Sequence, residues 1–218
     1  MPSAERASYV KTSSNTQGKI LDAAETLFIE KGFAATSLRA IANLASVNLA
    51  ATHYHFGSKE GLLSATIHRR IEPINALRLA NLNQLEAEQN FAVPVIIAAM
   101  FDPLLSEEID PNLPLLIARV HGEPASISRP LLEKEFGEVG ARYLAAMEKA
   151  LPGVDPVDLR WRFHMVIGSM VHLLNFPSPL QMETDDSLQA RREGIERLKL
   201  FAIAGLTQTG IEMKEEKQ

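Results

Sequence analysis

The chain has 218 residues, of which 46% are hydrophobic and 22% are charged, as is typical of a folded globular protein. It contains no cysteine, which excludes disulfides, thiolate chemistry and cysteine-ligated metal centres. No segment approaches the run of about 20 apolar residues that crosses a bilayer, and residues 1–16 lack the apolar core of a secretory signal. We therefore expect a cytoplasmic protein with no membrane partner.

The net charge of −5 is divided unevenly along the chain. Residues 1–70 contain eight Lys or Arg against five Asp or Glu, whereas residues 71–218 contain 14 basic and 22 acidic residues. The first part therefore carries a charge of +3 and the remainder a charge of −8. Because phosphate attracts the first part and repels the second, only the N-terminal part is suited to face nucleic acid.

Apolar residues recur every three or four positions and alternation is nearly absent, so the sequence predicts an all-α protein. The first helix is predicted over residues 16–31, and Gly32 is placed to end it in the left-handed conformation. The second helix begins at Thr36 or Ser37, since either side chain can cap it.

Asn48 is a good N-cap for a third helix that ends near Phe56. Ser58 caps a fourth helix, and Pro73 marks its end or a kink. Further helices are predicted over residues 74–88, 92–105, 113–121, 130–151, 156–176 and 187–209. We expect a flexible arm, a helix-turn-helix domain with the start of the fourth helix, a larger helical domain and a frayed tail, over residues 1–15, 16–68, 69–212 and 213–218.

Three short helices within about 40 residues, the last two joined by a turn of about four residues, match a helix-turn-helix in a tri-helical bundle. A plain helical hairpin has the same spacing and remains an alternative on spacing alone. In the third helix, small or apolar side chains come first, and rings and hydrogen-bonding groups follow, in the order Leu49, Ala50, Ala51, Thr52, His53, Tyr54 and His55. Such a low-relief helix is typical of an element that enters a DNA groove.

Four runs in one order resemble the TetR (tetracycline-repressor) family: ILDAAETLF at 20–28, KGF at 31–33, TSLRAIA at 36–42 and VNLAATHYHFGSKE at 47–60. The resemblance covers residues 16–68. It implies a tri-helical helix-turn-helix DNA-binding domain followed by a larger helical ligand-binding and dimerisation domain. The function that it implies is a ligand-responsive, sequence-specific regulator, a repressor that a small molecule releases from a palindromic operator.

The resemblance also implies roles for individual residues. In the family, the start of the third helix meets base edges, which here corresponds to Asn48, Leu49, Ala50, Ala51 and His53. The end of that helix and the following lysine contact the DNA backbone, which corresponds to Tyr54, His55 and Lys59. The second helix lies across the backbone, so the candidate phosphate contacts there are Thr36, Ser37 and Arg39.

The third helix also departs from the family pattern. Many members carry Ser-Lys-Gly-Thr-Leu-Tyr where this chain has residues 48–53, so the usual basic side chain and the helix-packing leucine are missing. Base readout through residues 49–51 is then largely apolar, for instance against thymine methyl groups. The Asn-Leu-Ala-Ala run, with residues 161–164 and Gly168, resembles a subgroup that includes regulators responsive to fatty acids or their thioesters.

The larger domain offers candidates for an apolar effector site and for a homodimer interface. The candidate ligand-binding residues are Phe101, Leu104, Arg119, Met147 and Met165. Arg119 could pair with a carboxylate or phosphate of the ligand, or it could be a solvated residue or an internal salt-bridge partner. By the resemblance, the last two long helices form the dimer bundle, and the candidate interface residues are Trp161, Gly168, His172, Leu198 and Phe201.

Other classes of function find less support in the sequence. His164 and His172 share one helix face with Gly168, but no acidic residue joins them at ligand spacing, so a helix–helix interface is favoured over a metal site. Phosphate loops, nucleophile elbows and HExxH motifs are absent, so we expect neither an enzyme nor a cofactor. The alternative that remains is a helical small-molecule-binding or adaptor protein that does not bind DNA.

Overall fold

The computed structural model describes residues 3–106, 110, 113–176 and 188–208, with side chains from residue 15 onward except at 188. These residues form α-helices and one 3-10 turn and contain no strand, which confirms the all-α prediction. The elements are α1 (Ser3–Ala35), α2 (Leu38–Leu44), α3 (Leu49–Phe56), α4 (Lys59–Ala87), α5 (Val93–Phe101), the 3-10 turn (Asp102–Leu105), α6 (Leu113–His121), α7 (Ala125–Ala150), α8 (Pro156–Asn175) and α9 (Leu188–Thr207).

The chain divides into two compact units. The first comprises Met1–Pro73 and Asp110–Glu135, and the second comprises Ile74–Ile109 and Phe136–Gln218. The division falls inside α4 and inside α7, so these two long helices contribute residues to both units. The first unit therefore includes α6 and the start of α7, whereas the sequence predicts two domains that are contiguous along the chain.

In the first unit, α1 packs on α2, α3 and α6. Helix α1 begins at Ser3 instead of at the predicted residue 16, because neither proline nor glycine interrupts residues 3–17. Gly32 has a φ of 77°, positive as predicted, but its ψ of 172° lies outside the left-handed helical region. Buried apolar side chains form the core of this unit, among them Ile20, Phe28, Ile41, Leu62, Ile67 and Leu116.

The predicted caps of α2, α3 and α4 are confirmed. Ser37 accepts a hydrogen bond from the N–H of Ala40 at 3.1 Å, and Asn48 accepts one from the N–H of Ala50 at 2.9 Å. Ser58 accepts one from the N–H of Gly61 at 3.0 Å. Each cap satisfies a backbone donor that has no partner inside its own helix, and so fixes where the helix begins.

The second unit is built from the rest of α4 and α7 together with α5, α8 and α9. Helix α8 begins as predicted, with the carboxylate of Asp155 accepting from the N–H groups of Val157 and Asp158. Helices α8 and α9 pack together in antiparallel directions. Arg162, near the start of α8, donates to the carbonyl of Leu206 near the end of α9, and Leu173 lies beside Gly194 at the opposite ends.

Several predicted bounds differ from those observed. Helix α4 passes through Pro73 without ending, and α7 begins at Ala125, with Pro130 inside it. The predicted helix over 92–105 is α5 followed by the 3-10 turn. The predicted start of the last helix at 187, its end at 209 and the tail over 213–218 lie outside the described residues.

Candidate nucleic-acid interface

Helix α3 presents one face to solvent. The side chains of Asn48, Ala50, His53 and Tyr54 are exposed, and Tyr54 and Leu49 are 77% and 38% accessible. Ala51 and His55 are half-buried. The first half of this face is flat because its side chains are short, whereas the second half carries rings. This is the face to which the resemblance assigns base contacts, and among the described residues it is exposed to solvent.

The rings at the end of α3 have defined neighbours. The Nδ1 atom of His53 donates to the carbonyl oxygen of Gly57 at 3.1 Å, because a carbonyl can only accept. In the neutral ring, the other nitrogen, Nε2, is therefore an acceptor. The ring of Tyr54 meets that of His55 edge to face, with centroids 5.2 Å apart. These contacts restrict the directions in which the polar groups of His53 and Tyr54 can bind.

Thr52 is the buried residue of α3. Its side chain is 1% exposed, and it occupies the position where the family pattern has a packing leucine. The hydroxyl Oγ1 has no hydrogen-bond partner among the described residues. A buried hydroxyl without a partner costs stability, so this replacement weakens the packing of the candidate recognition helix.

The candidate phosphate contacts at the start of α2 differ in exposure and in hydrogen bonding. Ser37 and Arg39 are exposed, and Ser37 uses its side-chain oxygen to cap the helix. Thr36 is only 3% exposed, and its hydroxyl lies 2.7 Å from the carbonyl oxygen of Gly32 and 3.1 Å from that of Leu27. Its hydroxyl therefore does not reach a phosphate, and we correct the prediction for Thr36: its side chain secures the end of α1.

Lys59 lies at the start of α4 and is half-buried. Its ammonium group donates to the carbonyl oxygens of Phe33 and Thr36, both at 2.9 Å, and lies 4.2 Å from the centroid of the Phe33 ring. An ammonium group has three donors, so one remains for another acceptor. The lysine to which the resemblance assigns a phosphate contact thus also ties α4 to the last turn of α1 and to Thr36, which follows α1.

A charged pocket of about 230 Å³ lies between α1 and α4 in the first unit. It is lined by Asp22, Glu25, Thr26, Ile29 and Arg70. Arg70 is paired with Glu25 and with Asp110, while Arg69 is paired with Glu25 and Asp22. Because its charges already satisfy one another, the pocket is explained as an ion-pair network that joins two helices.

The candidate ligand-binding residues do not share one environment. Phe101, Leu104 and Met147 are buried in the second unit. Met165 is 62% exposed on α8, so it does not line an interior cavity of this chain, and we correct that prediction. Arg119 is exposed in the first unit, where its Nε donates to the carbonyl oxygen of Ile29 at 2.8 Å. Arg119 therefore links α6 to α1.

The candidate interface residues mark an exposed apolar face on α8 and α9. Trp161 and Phe201 are 60% and 65% exposed, and Gly168 and His172 are also exposed. Leu198 is 8% exposed because it packs inside its own chain, so the prediction that it meets a partner is wrong. We define the α8–α9 face by its large exposed apolar side chains, Val157, Trp161, Met165, Leu200 and Phe201.

The buried cation Arg78 was not predicted from the sequence. Arg78 on α4 is 4% exposed, and no carboxylate pairs with it among the described residues. A signal was present, because Ile71, Ile74, Arg78, Leu82 and Leu85 follow the helical repeat of one buried stripe. A positive charge at a core position of that stripe is unusual and marks a place where an anion could bind.

Neither a cluster of metal ligands nor a membrane-spanning helix is found in the described part of the chain. No cluster of three or more His, Cys, Asp or Glu side chains is arranged to hold a metal ion there. Within the same residues, no helix combines the length and the apolar character that a bilayer span needs.

Family models match two parts of the chain. Residues 20–66 match the model described as bacterial regulatory proteins, tetR family, and residues 87–205 match the tetracyclin repressor-like C-terminal domain. The biofilm-operon negative transcriptional regulator IcaR of Staphylococcus aureus is 30% identical over 84 residues, which are 38% of this chain and 43% of IcaR. The chain thus matches less than half the length of that relative.

Two further comparisons extend over most of the chain. The uncharacterized HTH-type regulator MT1294 of Mycobacterium tuberculosis is 27% identical over 167 residues, 73% of this chain and 74% of MT1294. The crystal structure of the multidrug binding protein EbrR with malachite green superposes with a TM-score of 0.55 at 23% identity, covering 84% of this chain and 96% of EbrR.

A capped helix-turn-helix unit joined to a second helical unit defines a class of transcriptional regulators whose first unit binds DNA. The chain belongs to the tetracycline-repressor (TetR) family, since the C-terminal family model alone matches more than half of its residues. The description of its N-terminal model places this family among the bacterial regulatory proteins.

Proposed function

We propose that the chain is a cytoplasmic repressor that binds a palindromic operator as a homodimer and is released from it by a small-molecule effector. The observation that carries the proposal is the uncovered face of α3, which starts with short side chains and ends with Tyr54, 77% exposed. A flat helix can approach the base edges of the major groove closely, while polar groups at its end reach the backbone.

In this proposal, the residues on the α3 face have separate roles. Asn48, Leu49, Ala50, Ala51 and His53 read bases, whereas Ser37, Arg39, Tyr54, His55 and the remaining donor of Lys59 hold phosphates. Contacts of the first kind set the sequence preference, and contacts of the second kind set the affinity for any duplex. The charge of +3 on residues 1–70 supports this arrangement.

The α8–α9 face supports the homodimer. It gathers five large apolar side chains, each at least 60% exposed, on two adjacent helices. Isolated exposed apolar residues are ordinary, but several large ones on two helices that pack together indicate an interaction surface. A two-fold dimer presents two copies of α3 to successive major grooves, about 34 Å apart, and so requires an approximately palindromic operator.

One sequence relative and one structural neighbour support repression and an effector. IcaR is described as a negative transcriptional regulator, and EbrR binds malachite green in its crystal structure. To move this chain from about 99% DNA-bound to about 99% released, an effector must bind the released form more tightly than the bound form by roughly 5.5 kcal/mol. The buried residues Phe101, Leu104 and Met147 make the second unit our proposed effector site, with an apolar ligand.

Salt titration tests the proposal against its alternative, an adaptor that binds small molecules but no DNA. The full chain is titrated with a random-sequence duplex at salt concentrations from 50 to 300 mM, using fluorescence anisotropy. A regulator that contacts several phosphates loses affinity steeply as salt rises, because binding releases counterions. Absence of binding at the lowest salt would support the adaptor and reject the repressor.

A further inference from the structure

Arg78 is the most deeply buried charged side chain of the second unit in the described structure, with 4% of its surface exposed. Its Nε donates to the carbonyl oxygen of Met100 at 2.9 Å, in the last turn of α5. Burial lowers the pKa of Arg78 to about 10, so the guanidinium remains charged at neutral pH. A buried positive charge without a carboxylate partner is costly, which calls for an explanation.

The two terminal nitrogens of Arg78 have poor partners. Nη1 lies 3.4 Å from the amide oxygen of Asn75, and Nη2 lies 3.6 Å from the sulfur of Met170. The first distance is long for a hydrogen bond, and a thioether is a weak acceptor. A guanidinium presents these two nitrogens as a fork that matches the two oxygens of a carboxylate or phosphate. The fork is thus the part of Arg78 that the protein satisfies least.

A purely structural role explains only part of this arrangement. Arg78 and Asn81 both donate to carbonyl oxygens in the last turn of α5, at Met100 and Ala99. These bonds satisfy helix-end carbonyls and place positive charge at the negative end of the helix dipole. Arg78 makes its bond through Nε alone, so helix capping does not explain why the two terminal nitrogens are buried. A neutral side chain such as glutamine could cap the same carbonyls without burying a charge.

Tyr143 fixes the position of Arg78, and Met170 can move to admit a ligand beside the fork. Tyr143, fully buried, donates from its hydroxyl to the backbone carbonyl of Arg78 at 2.9 Å, which fixes the helix turn that carries the arginine. Met170 is unbranched and buried, and such side chains adopt new rotamers more readily than branched ones. Movement of the Met170 sulfur would open Nη2 to an incoming oxygen.

We propose that Arg78 is the anchor of the effector site and selects a ligand with one compact oxyanion, a carboxylate or phosphate ester, on an apolar body. The oxyanion binds the Nη1–Nη2 fork and displaces the sulfur of Met170. The apolar body of the ligand packs among the buried apolar side chains of the second unit and takes the place of contacts that they make with one another. This inference rests on the proposed function, because it names the effector class of the same regulator. It also transfers the anion-binding role from Arg119 to Arg78.

The test measures binding of matched probes to the full chain by isothermal titration calorimetry. Octanoate and octyl phosphate supply the two oxyanions on one apolar tail, octanamide is the uncharged counterpart, and acetate lacks the tail. We expect octanoate or octyl phosphate to bind at least about tenfold more tightly than octanamide, since a hydrogen bond to a charged group is stronger than one between neutral groups. The stronger of the two identifies the oxyanion, and acetate binds much more weakly than either.

Two variants and a control assign the selectivity to Arg78. Arg78→Met keeps most of the apolar stem but removes the charge and the fork, and Arg78→Lys keeps the charge but lacks the fork. Arg129→Met makes the same chemical change at an exposed position of α7. We expect Arg78→Met to bind octanoate and octanamide within about twofold of each other, Arg78→Lys to be intermediate, and Arg129→Met to match the parent chain.

The outcomes separate this inference from the proposed function. Equal binding of octanoate and octanamide to the parent chain, or no binding of either anion, would overturn the role of Arg78 even if both variants failed to fold. Unchanged selectivity in a folded Arg78→Met protein would overturn it as well. Duplex binding by the unliganded parent chain is measured in parallel, and its absence would reject the repressor while leaving the calorimetric result for Arg78 intact.

Discussion

The ammonium group of Lys59 makes two contacts with Phe33. It donates a 2.9 Å hydrogen bond to the carbonyl oxygen, and it lies 4.2 Å from the centroid of the ring in a cation–π contact. Phe33 follows the kink of α1 at Gly32, and Lys59 begins α4, so the pair joins α4 to α1, the helix on which α3 packs. The same lysine is a candidate phosphate contact. We therefore expect its substitution to lower the stability of the first unit and, through the proposed phosphate contact, the affinity for DNA.

Lys59→Met removes both hydrogen bonds and the contact with the ring. We expect a loss of about 1–3 kcal/mol in the free energy of unfolding, because the donor is charged and half-buried. Lys31→Met is the matched control, since Lys31 is exposed on α1. Denaturant titration followed by circular dichroism measures the difference. Equal stability of the two variants would contradict the structural role, and an unchanged salt slope of duplex binding would reject the phosphate contact.

Thr52→Val replaces a buried hydroxyl that has no partner among the described residues with a methyl group of similar volume. We expect the protein to become more stable by about 1 kcal/mol, because the cost of desolvating the hydroxyl is removed. Thermal unfolding of both proteins at one concentration measures the change. Thr66→Val is the control: Thr66 is also fully buried, but its hydroxyl donates to the carbonyl oxygen of Leu62. A loss of stability in Thr52→Val equal to that in Thr66→Val would refute this explanation.

Glu25→Gln breaks the charge network between α1 and α4. The carboxylate is 6% exposed and accepts from Arg69 and from Arg70, each at 2.9 Å, so its removal leaves two cations short of an acceptor. We expect a loss of about 1–3 kcal/mol in the free energy of unfolding, reduced from that of a fully buried pair because both arginines are more than a quarter exposed. Glu30→Gln, on the exposed face of α1, should be nearly neutral. Similar unfolding midpoints for the two variants would argue against the network.

The pair of substitutions Leu200→Asp and Phe201→Asp tests the α8–α9 face. Both side chains are at least 65% exposed, so the change should leave the fold intact and prevent association. Sedimentation velocity should show a dimer for the parent chain and a monomer for the variant. Leu115→Asp, at a side chain 50% exposed in the first unit, is the control that should remain dimeric. A monomeric parent chain would reject the proposed homodimer.

Much of the fold could be predicted from the sequence because its signals are local. The caps at Ser37, Asn48, Ser58 and Asp155 and the positive φ of Gly32 each follow from a residue type at a helix end. Prolines were less informative. Pro73 predicts the end of a helix or a kink in it, and Pro130 predicts the start of a helix. No helix ends at Pro73 or starts at Pro130, because the packing of a long helix can outweigh one missing backbone hydrogen bond.

The candidate site was harder to predict because it depends on contacts between distant residues. The short side chains of α3 indicate its exposed face. No local sequence pattern indicates that Thr36 is hydrogen-bonded to the end of α1 or that Lys59 reaches Phe33. Leu198 and Arg78 could have been placed by helical phase. Leu198 falls in register with the buried residues Ile195 and Ala202, and Arg78 with Ile74 and Leu82.

The most direct test of the central claim is selection of bound duplexes from a random-sequence library, carried out with the parent chain and with His53→Ala. We expect the parent chain to enrich an inverted repeat with half-site centres about one helical turn apart, or slightly more, and His53→Ala to enrich a repeat altered at one position of each half-site. Enrichment of no inverted repeat by the parent chain, or of the same repeat by both proteins, would contradict an α3 face that reads DNA.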